Sequence, residues 1–535
     1  MDASPAPDHA PDAVAGLRGG ARGLLTVLLF AALVGVVLFT FRDYGITIDE
    51  GVQHRYGRRI LRWYATLGAE DDATYVNNLY LYGGFFEVCA QAAVAALPLG
   101  TFEARHLAGA LFGVLGVVAA WGIGTHVGGS TAGLLSALFL AMTPGFYGHF
   151  FANPKDLPFA SLFALAAWAA LRAGERALRL GWREVLLTGV AIGLAAGVRV
   201  AGLVLCGAVA VLWLGCAWLA RPGAEARGSR LRDLAGVLWA VAGTTAVAWA
   251  VMVAFWPWAQ LDPLRNPVRA FQTFSSFWPE ATVFFAGREL AAADVPRDYV
   301  PRAFALTLPG FYALAGLLGV WVLLSWARGP RKRRAKPAFL TLWLATMAIG
   351  PIAWVVVRRT PVYNNTRHLL FVVPFLAVLA GRGVAAWLEG RPRAVRLAGS
   401  AALAASLAVT LVDMVQLHPY QYLYFNRLVA GGLRRAAPRY ETDYLCATYK
   451  EGIEWLARDY LPQFPEPVRM DGRCSHLPFW YYLGRRAVQT TNRDPHVFFV
   501  TTAFGEHRTT PGRVLHVVER QGAPLLYVLE QRSPR

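Results

Sequence analysis

Apolar residues run along this chain in long, nearly unbroken blocks, not in the alternating or three-four spacing of a water-soluble fold. Blocks long enough to cross a membrane lie at 22–42, 104–125, 131–151, 156–173, 233–258, 304–327, 338–357, 368–388 and 397–416, since a crossing needs about 20 residues. The stretch 184–219 is also nearly all apolar. At about 1.5 Å per residue it would reach roughly 54 Å, too long for one passage through a ~30 Å hydrocarbon core. Arg199 sits near its middle. Two short spans with Arg199 at the turn satisfy both the length and the charge. The pattern therefore predicts a polytopic α-helical membrane protein of about eleven transmembrane helices.

The remaining segments read differently. Residues 1–21 are rich in Pro, Ala and Asp and are expected to form a disordered cytoplasmic tail. The first span has too long an apolar core for a cleaved signal peptide and reads as an anchor. The segment 79–97, LYLYGGFFEVCAQAAVAAL, carries Gly-Gly, Glu87 and Gln91. It is expected to lie in the interface beneath the first outer loop, not to cross. Beyond 416 the periodicity changes. Residues 451–461 have helical spacing, and 496–502, 513–519 and 524–530 read as strands. The chain thus divides into the tail 1–21, a membrane domain 22–416 with outer loops 43–103 and 259–303, and an extracytoplasmic α/β domain 417–535. Cys446 and Cys474 fall in that last domain, where they either pair or remain two buried thiols.

Composition agrees. Of 535 residues, 56% are hydrophobic and 16% charged, against about 25% charged in soluble domains. This excludes a disordered chain, a collagen-like fibre and a disulfide scaffold. The net charge is 52 − 34 = +18. In a soluble protein that would suggest nucleic acid, but here basic residues fill the loops of one membrane face. Arg172, Arg176, Arg179 and Arg183 share one loop. Arg221, Arg227, Arg230 and Arg232 share a second, and Arg328, Arg331, Lys332, Arg333, Arg334 and Lys336 a third. Arg391, Arg393 and Arg396 share a fourth. With eleven spans all lie on one side, which the positive-inside rule makes the cytoplasm.

The candidate chemistry lies on the opposite side. In ITIDEGVQHRYG (46–57), Asp49 and Glu50 follow the first span. Thr47-x-x-Glu50 fits a capping box; a carboxylate held there also suits a general base. In ANPKDLP (152–158), Asp156 can N-cap the next span and Pro158 suits its first turn. Lys155, Arg199, Arg367 and His368 join it at one depth. These outward cations run against the positive-inside rule. They either snorkel or clamp the oxygens of a lipid phosphate.

The order and sidedness of these motifs resemble the GT-C glycosyltransferases. Among these, the protein O-mannosyltransferases and the lipid A aminoarabinose transferase are the nearer kin. Bacterial members also show stretches similar to FFAGRELAAADVPRDYVPRAFALTLP (284–309), NNTRHLLFVVPFLAVLAG (364–381), HPYQYLYFNRLVAGG (418–432) and DYLCATYKEGIEWL (443–456). The resemblance implies an inverting transferase taking sugar from a polyprenyl-phosphate carrier to a lipid, glycan or protein acceptor. It implies a place in the bacterial inner membrane, with the active site outside the cytoplasm. It puts the catalytic acid on Asp49, its neighbour on Glu50 and the second outer-loop acid on Asp156. Lys155, Arg199, Arg367 and His368 become donor-binding candidates. The family's usual Lys-Gly after the fifth span is replaced by Arg199-Val200. The donor is already activated, so no cofactor is required and no nucleotide motif is present. No His/Cys cluster has zinc-ligand spacing; a divalent ion between carboxylate and phosphate stays open. The competing classes are a transporter or flippase, a surface-glycan ligase or polymerase using the same carrier, and a membrane-anchored binding protein. A transporter would carry midplane charges and two similar halves, and neither pattern is seen.

Overall fold

The structure is a computed structural model. It describes residues 10–220, 227–275, 281–327, 335–464, 467–489, 495–503 and 509–531. The basic cluster from Arg328 to Arg334 lies outside these, as do Arg221 and residues 1–9.

Sixteen helices make up the larger part. They are α1 Ala10–Thr40, α2 Glu50–Ala65, α3 Phe85–Ala96, α4 Thr101–Ala141, α5 Pro144–Ala152, α6 Asp156–Gly174, α7 Trp182–Ala196, α8 Val204–Ala220 and α9 Arg227–Ala254. After these come α10 Pro257–Leu261, α11 Arg265–Ser275, α12 Tyr299–Thr307, α13 Gly310–Ala327, α14 Ala335–Arg358, α15 Val373–Leu388 and α16 Arg393–Gln416. Eight helices among the described residues are long and apolar enough to cross a membrane, or nine if the bent pair α12–α13 is one span.

The difference from eleven has physical causes. α4 is one helix by hydrogen bonding, yet Gly129 inside it has φ 75° and ψ −178°. There the chain reverses. Cβ atoms placed on Gly124 and Gly133 would overlap the hydroxyls of Ser136 and Thr125, so the two halves lie antiparallel and touching. The expected spans 104–125 and 131–151 are the arms of this hairpin, the second completed by α5. The stretch 184–219 does split at Arg199, but its first half, α7, has only 15 residues. The expected span 304–327 is corrected: α12 and α13 meet at 107° around Leu308 and Pro309, because proline cannot continue a helix. Of the expected tail, residues 1–9 lie outside the described residues and 10–21 fall at the start of α1. The helix α3 is the short apolar helix expected near 79–97.

Helices α4, α6 and α15 form the centre. The apolar windows of α6 and α15 are 78% buried, whereas those of α1 and α16 are only 11% buried. Those outer helices expose Leu25, Phe39, Leu397 and Val415, as lipid-facing helices must.

The region after 416 has its own core, built on Tyr449, Leu456, Phe499, Leu526 and Val528. Seven strands are described: β1 Thr282–Phe285, β2 Arg288–Ala291, β3 Val468–Gly472, β4 Ala487–Gln489, β5 Val497–Thr501, β6 Arg513–Arg520 and β7 Ala523–Glu530. β1 and β2 form a hairpin in the second outer loop. The other five form one sheet of order β4-β3-β5-β7-β6, with β3 parallel to both its neighbours and the rest antiparallel. The expected strands 496–502, 513–519 and 524–530 are β5, β6 and β7. β3 and β4 have too little alternation to read from sequence. Gln521 and Gly522, with φ of 50° and 72°, close the β6–β7 hairpin in the left-handed backbone that such tight turns need. Cys446 and Cys474 form a disulfide.

The α4 hairpin generates a test. Gly124→Val should drive side-chain atoms into Ser136 and cost about 1–3 kcal/mol. Gly145→Ala, whose new Cβ meets open space, should hold or raise stability. Thermal unfolding in detergent compares the two; an unchanged midpoint for Gly124→Val would mean the arms do not touch.

Candidate functional site

Asp49, Lys155, Asp156, Arg199 and Arg367 converge at one end of the central helices. They come from four separate breaks in the helical chain. Asp49 is the residue before α2, Lys155 and Asp156 open α6, Arg199 sits between α7 and α8, and Arg367 starts the turn leading into α15.

The charges interlock. Arg367 reaches Asp49 Oδ2 at 3.3 Å and Asp156 Oδ2 at 3.2 Å. Lys155 Nζ lies 3.7 Å from Asp49 Oδ2, and Arg199 pairs with Asp156 Oδ1. With both carboxylates ionised, three cations leave one positive charge in excess. One donor is uncommitted as well: Arg199 Nε is buried and makes no hydrogen bond among the described residues, whereas Arg367 Nε stands against Asp156 Oδ2. The N-termini of α2 and α6 add their partial positive charge. Such a cradle fits one anion.

Burial by itself would raise the Asp49 carboxyl. Lys155 and Arg367 outweigh it and hold the group below the usual carboxylate range. Lys155 and Arg199 do not snorkel into water. Both stand over the Tyr82 ring, at 5.4 and 5.6 Å, and are 13% and 21% exposed. Tyr82 reaches them because Gly83 lies against the Gly197 carbonyl, where a Cβ would collide. Phe85 N–H donates to that same carbonyl at 3.0 Å. The Gly-Gly pair that spoke against a crossing thus lets two loops meet.

The capping expectations are corrected. The Asp49 side chain caps nothing. Glu50 accepts the Thr47 N–H at 2.8 Å, which is half of a capping box, but the Thr47 hydroxyl donates to Glu50 and to the Ala152 carbonyl. Glu50 is 2% exposed, faces His106 Nε2 at 3.1 Å and points away from the cations. It does not join the cluster. Nor does Asp156 cap α6. Asn153 does so instead, its Oδ1 accepting the Lys155 and Asp156 amides at 3.1 and 2.8 Å. Asn153 Nδ2 then donates to Asp156 Oδ2 at 2.9 Å. His368 stacks edge-on against Tyr363, 4.5 Å between ring centres, and forms no ion pair with the cluster among the described residues. Sequence reasoning missed Asn153, Tyr82, His149 and Tyr444. Asn153 alone carried a signal, an Asn three residues before the first helical carboxylate.

The loop that carries Arg367 is anchored from the other domain. Asn364 and Asn365 take left-handed backbone, with φ of 57° and 61°. Asn365 N–H donates to the Tyr299 hydroxyl at 3.0 Å, and Tyr299 donates to buried Glu441. Burial pushes the Glu441 carboxyl up to about 8. Among the described residues no group of three His, Cys, Asp or Glu side chains could hold a metal ion.

Comparison with known proteins agrees with this picture. A family profile, dolichyl-phosphate-mannose-protein mannosyltransferase, matches residues 90–256. No curated protein matches the chain in sequence. The fold is similar to that of ArnT from Cupriavidus metallidurans. In its apo state the TM-score is 0.50 at 15% identity, over 95% of this chain and 98% of that one. With undecaprenyl phosphate bound, the values are 0.51 and 17%, over 94% and 97%. The oligosaccharyltransferase AglB from Archaeoglobus fulgidus gives 0.47 at 13% identity, over 89% of this chain and 65% of that one. The likeness to ArnT is one of fold: a helical membrane part followed by a small sheet domain.

Two stability predictions follow from these contacts. Glu50→Gln should cost about 1–3 kcal/mol because it breaks a buried, hydrogen-bonded charge. Asp49→Asn loses no cap but takes a carboxylate from Lys155 and Arg367, so it should also cost about 1–3 kcal/mol. Chemical denaturation measures both; no loss of stability in Asp49→Asn would mean that its carboxylate is not paired with those cations. Glu441 gives a pH signature. Between the ordinary carboxylate range and about 8, the folded chain keeps a proton that the unfolded chain releases. Stability should therefore fall as pH rises through that window. Glu441→Gln should flatten the slope; a parallel profile in the variant would show that Glu441 is not its source.

Proposed function

We propose that this chain is an integral-membrane inverting glycosyltransferase that moves a sugar from a polyprenyl-phosphate carrier to an extracytoplasmic lipid, glycan or protein acceptor. The observation that carries this reading is the cradle itself: three cations and two carboxylates with one positive charge in excess, matched to the single negative charge of a phosphodiester. The likeness of fold to ArnT, whose structure has been determined with undecaprenyl phosphate bound, and the mannosyltransferase match over 90–256 support it.

In this mechanism Lys155, Arg199 and Arg367 hold the donor phosphate. Asp49 takes the proton of the acceptor hydroxyl or amine as its oxygen or nitrogen attacks the anomeric carbon. The new bond forms on the face opposite the phosphate, and the bond from anomeric carbon to phosphate oxygen breaks. The leaving phosphate gains a second negative charge, which the cations stabilise. Before donor binds, Lys155 and Arg367 make Asp49 a weak base. Once they turn to phosphate, its proton affinity rises, so the donor primes the base. Asp156 has both oxygens committed to Arg199, Arg367 and Asn153 and keeps the guanidinium groups in place. The three cations can neutralise the phosphate without a cofactor. The arginine-rich loops set the membrane orientation. That orientation supports a cradle and C-terminal domain on the outer side, away from nucleic acid, and the resemblance to bacterial members supports a place among the lipids of a bacterial inner membrane.

Radiolabelled polyprenyl-phosphate sugars, presented to purified protein with membrane extract as acceptor, test this reading. One label should leave its carrier. Asp49→Asn should lower that turnover by about 10²–10⁴-fold. Arg367→Ala should weaken donor binding by about 10–100-fold, and Arg367→Lys should recover only part because the planar fork is lost. Release from no carrier would overturn the reading. More than a tenth of wild-type turnover in Asp49→Asn would remove Asp49 as base.

A further inference from the structure

We infer that Tyr444, on a disulfide-bonded turn of the extracytoplasmic domain, is a positioning residue for the cation cradle and acts through His149 and Asn153. The inference rests on the reading of the cradle as an anion site.

Three buried side chains connect the two. Tyr444 Oη lies 3.4 Å from His149 Nε2, and His149 Nδ1 lies 3.5 Å from Asn153 Nδ2. Asn153 holds Asp156 through its amide group and the backbone of residues 155 and 156 through its carbonyl oxygen. Tyr444, His149, Asn153 and Asp156 are each 5% exposed or less.

Donor logic sets the direction. Asn153 Oδ1 accepts two backbone amides, so the other atom is the NH2 group. That group donates to Asp156 and faces His149 Nδ1, which must accept. Nε2 then carries the imidazole proton and donates to the Tyr444 oxygen. A phenylalanine would fill the same space, yet it would leave that N–H without an acceptor in a closed interior, where polar groups orient one another strongly. Tyr444 also packs edge-on against Tyr422, whose ring stands beside His149.

The turn is built to stay in place. Asp443 is buried and accepts the Ala447 and Thr448 amides, both at 3.1 Å, together with the Tyr422 and Thr448 hydroxyls. Cys446, with φ 61°, is bonded to Cys474, two residues past β3. The neighbouring Leu445 carbonyl accepts the Ile48 N–H at 3.0 Å, one residue before Asp49. A single turn therefore braces both carboxylates, Asp49 through Ile48 and Asp156 through His149 and Asn153. Exchange with a dithiol, which breaks the Cys446–Cys474 bond and leaves two thiols while the reductant becomes a disulfide, would loosen both supports at once.

The test uses full-length protein in detergent and two readouts: backbone hydrogen exchange at residues 155 and 156, and equilibrium binding of undecaprenyl phosphate. Tyr444→Phe should keep a near-wild-type melting midpoint. It should speed exchange at those two amides and weaken carrier binding by about three- to tenfold. In Asn153→Ala the added Tyr444→Phe change should cost nothing more, because the two act through one chain. Dithiothreitol should produce the same local loosening in wild type and none in Cys474→Ser. Unchanged exchange in Tyr444→Phe, additive effects in the double variant, or a uniform rise in exchange with a lowered midpoint would overturn the inference. If exchange responds locally but wild type binds no carrier, the positioning role stands and the donor assignment falls.

Discussion

Five charged side chains placed together where water is scarce dominate this molecule. A lone carboxylate or guanidinium at that depth would cost several kcal/mol. Asp49, Asp156, Lys155, Arg199 and Arg367 tolerate the position only as a group. They come from four different breaks in the helical chain, so the charge cluster and the arrangement of helices require one another. Removing any member leaves its partners uncompensated. The surplus of one cation is the part of this balance that a ligand can complete.

The helix breaks are therefore working parts, and small residues make most of them. Gly129 reverses α4, and Gly83 lets the Tyr82 loop lie on the α7–α8 turn. Asn153 closes the gap between α5 and α6 while capping the latter. In a membrane, broken backbone is affordable only where protein re-satisfies it. Here it does so around the cradle, through the Phe85 amide to Gly197 and the Gly84 amide to Phe255. Backbone that gives up helical hydrogen bonds gains the freedom to aim side chains at one point.

The sheet domain is more than an appendage to this centre. Its turn at 443–448 touches the segment before Asp49, and its Glu441 braces the asparagines before Arg367. Glu50 and His106 pair beside the same region. The cradle is thus held from the membrane side by helix ends and from the water side by a disulfide-bonded turn. Such bracing suits chemistry in which small displacements of charge change rates strongly.

The sequence by itself determined the membrane class, the place of most spans, the split at Arg199 and the sheet domain's three later strands. These follow from long apolar runs and period-two alternation, which are local properties. It also singled out Lys155, Arg199 and Arg367, because cations at outer span ends run against the charge rule, and Asp49 and Asp156 through the family resemblance. Only the tertiary structure decided how those residues are used. Glu50 stands next to Asp49 in sequence yet turns the other way, because a helix rotates successive side chains by about 100°. Tyr444 and Asn153 are 291 positions apart yet share one histidine, and no local pattern records that contact. Periodicity reports which face of an element is buried; it does not report what the element is buried against, and a site assembled from four chain breaks is made of that second kind of information.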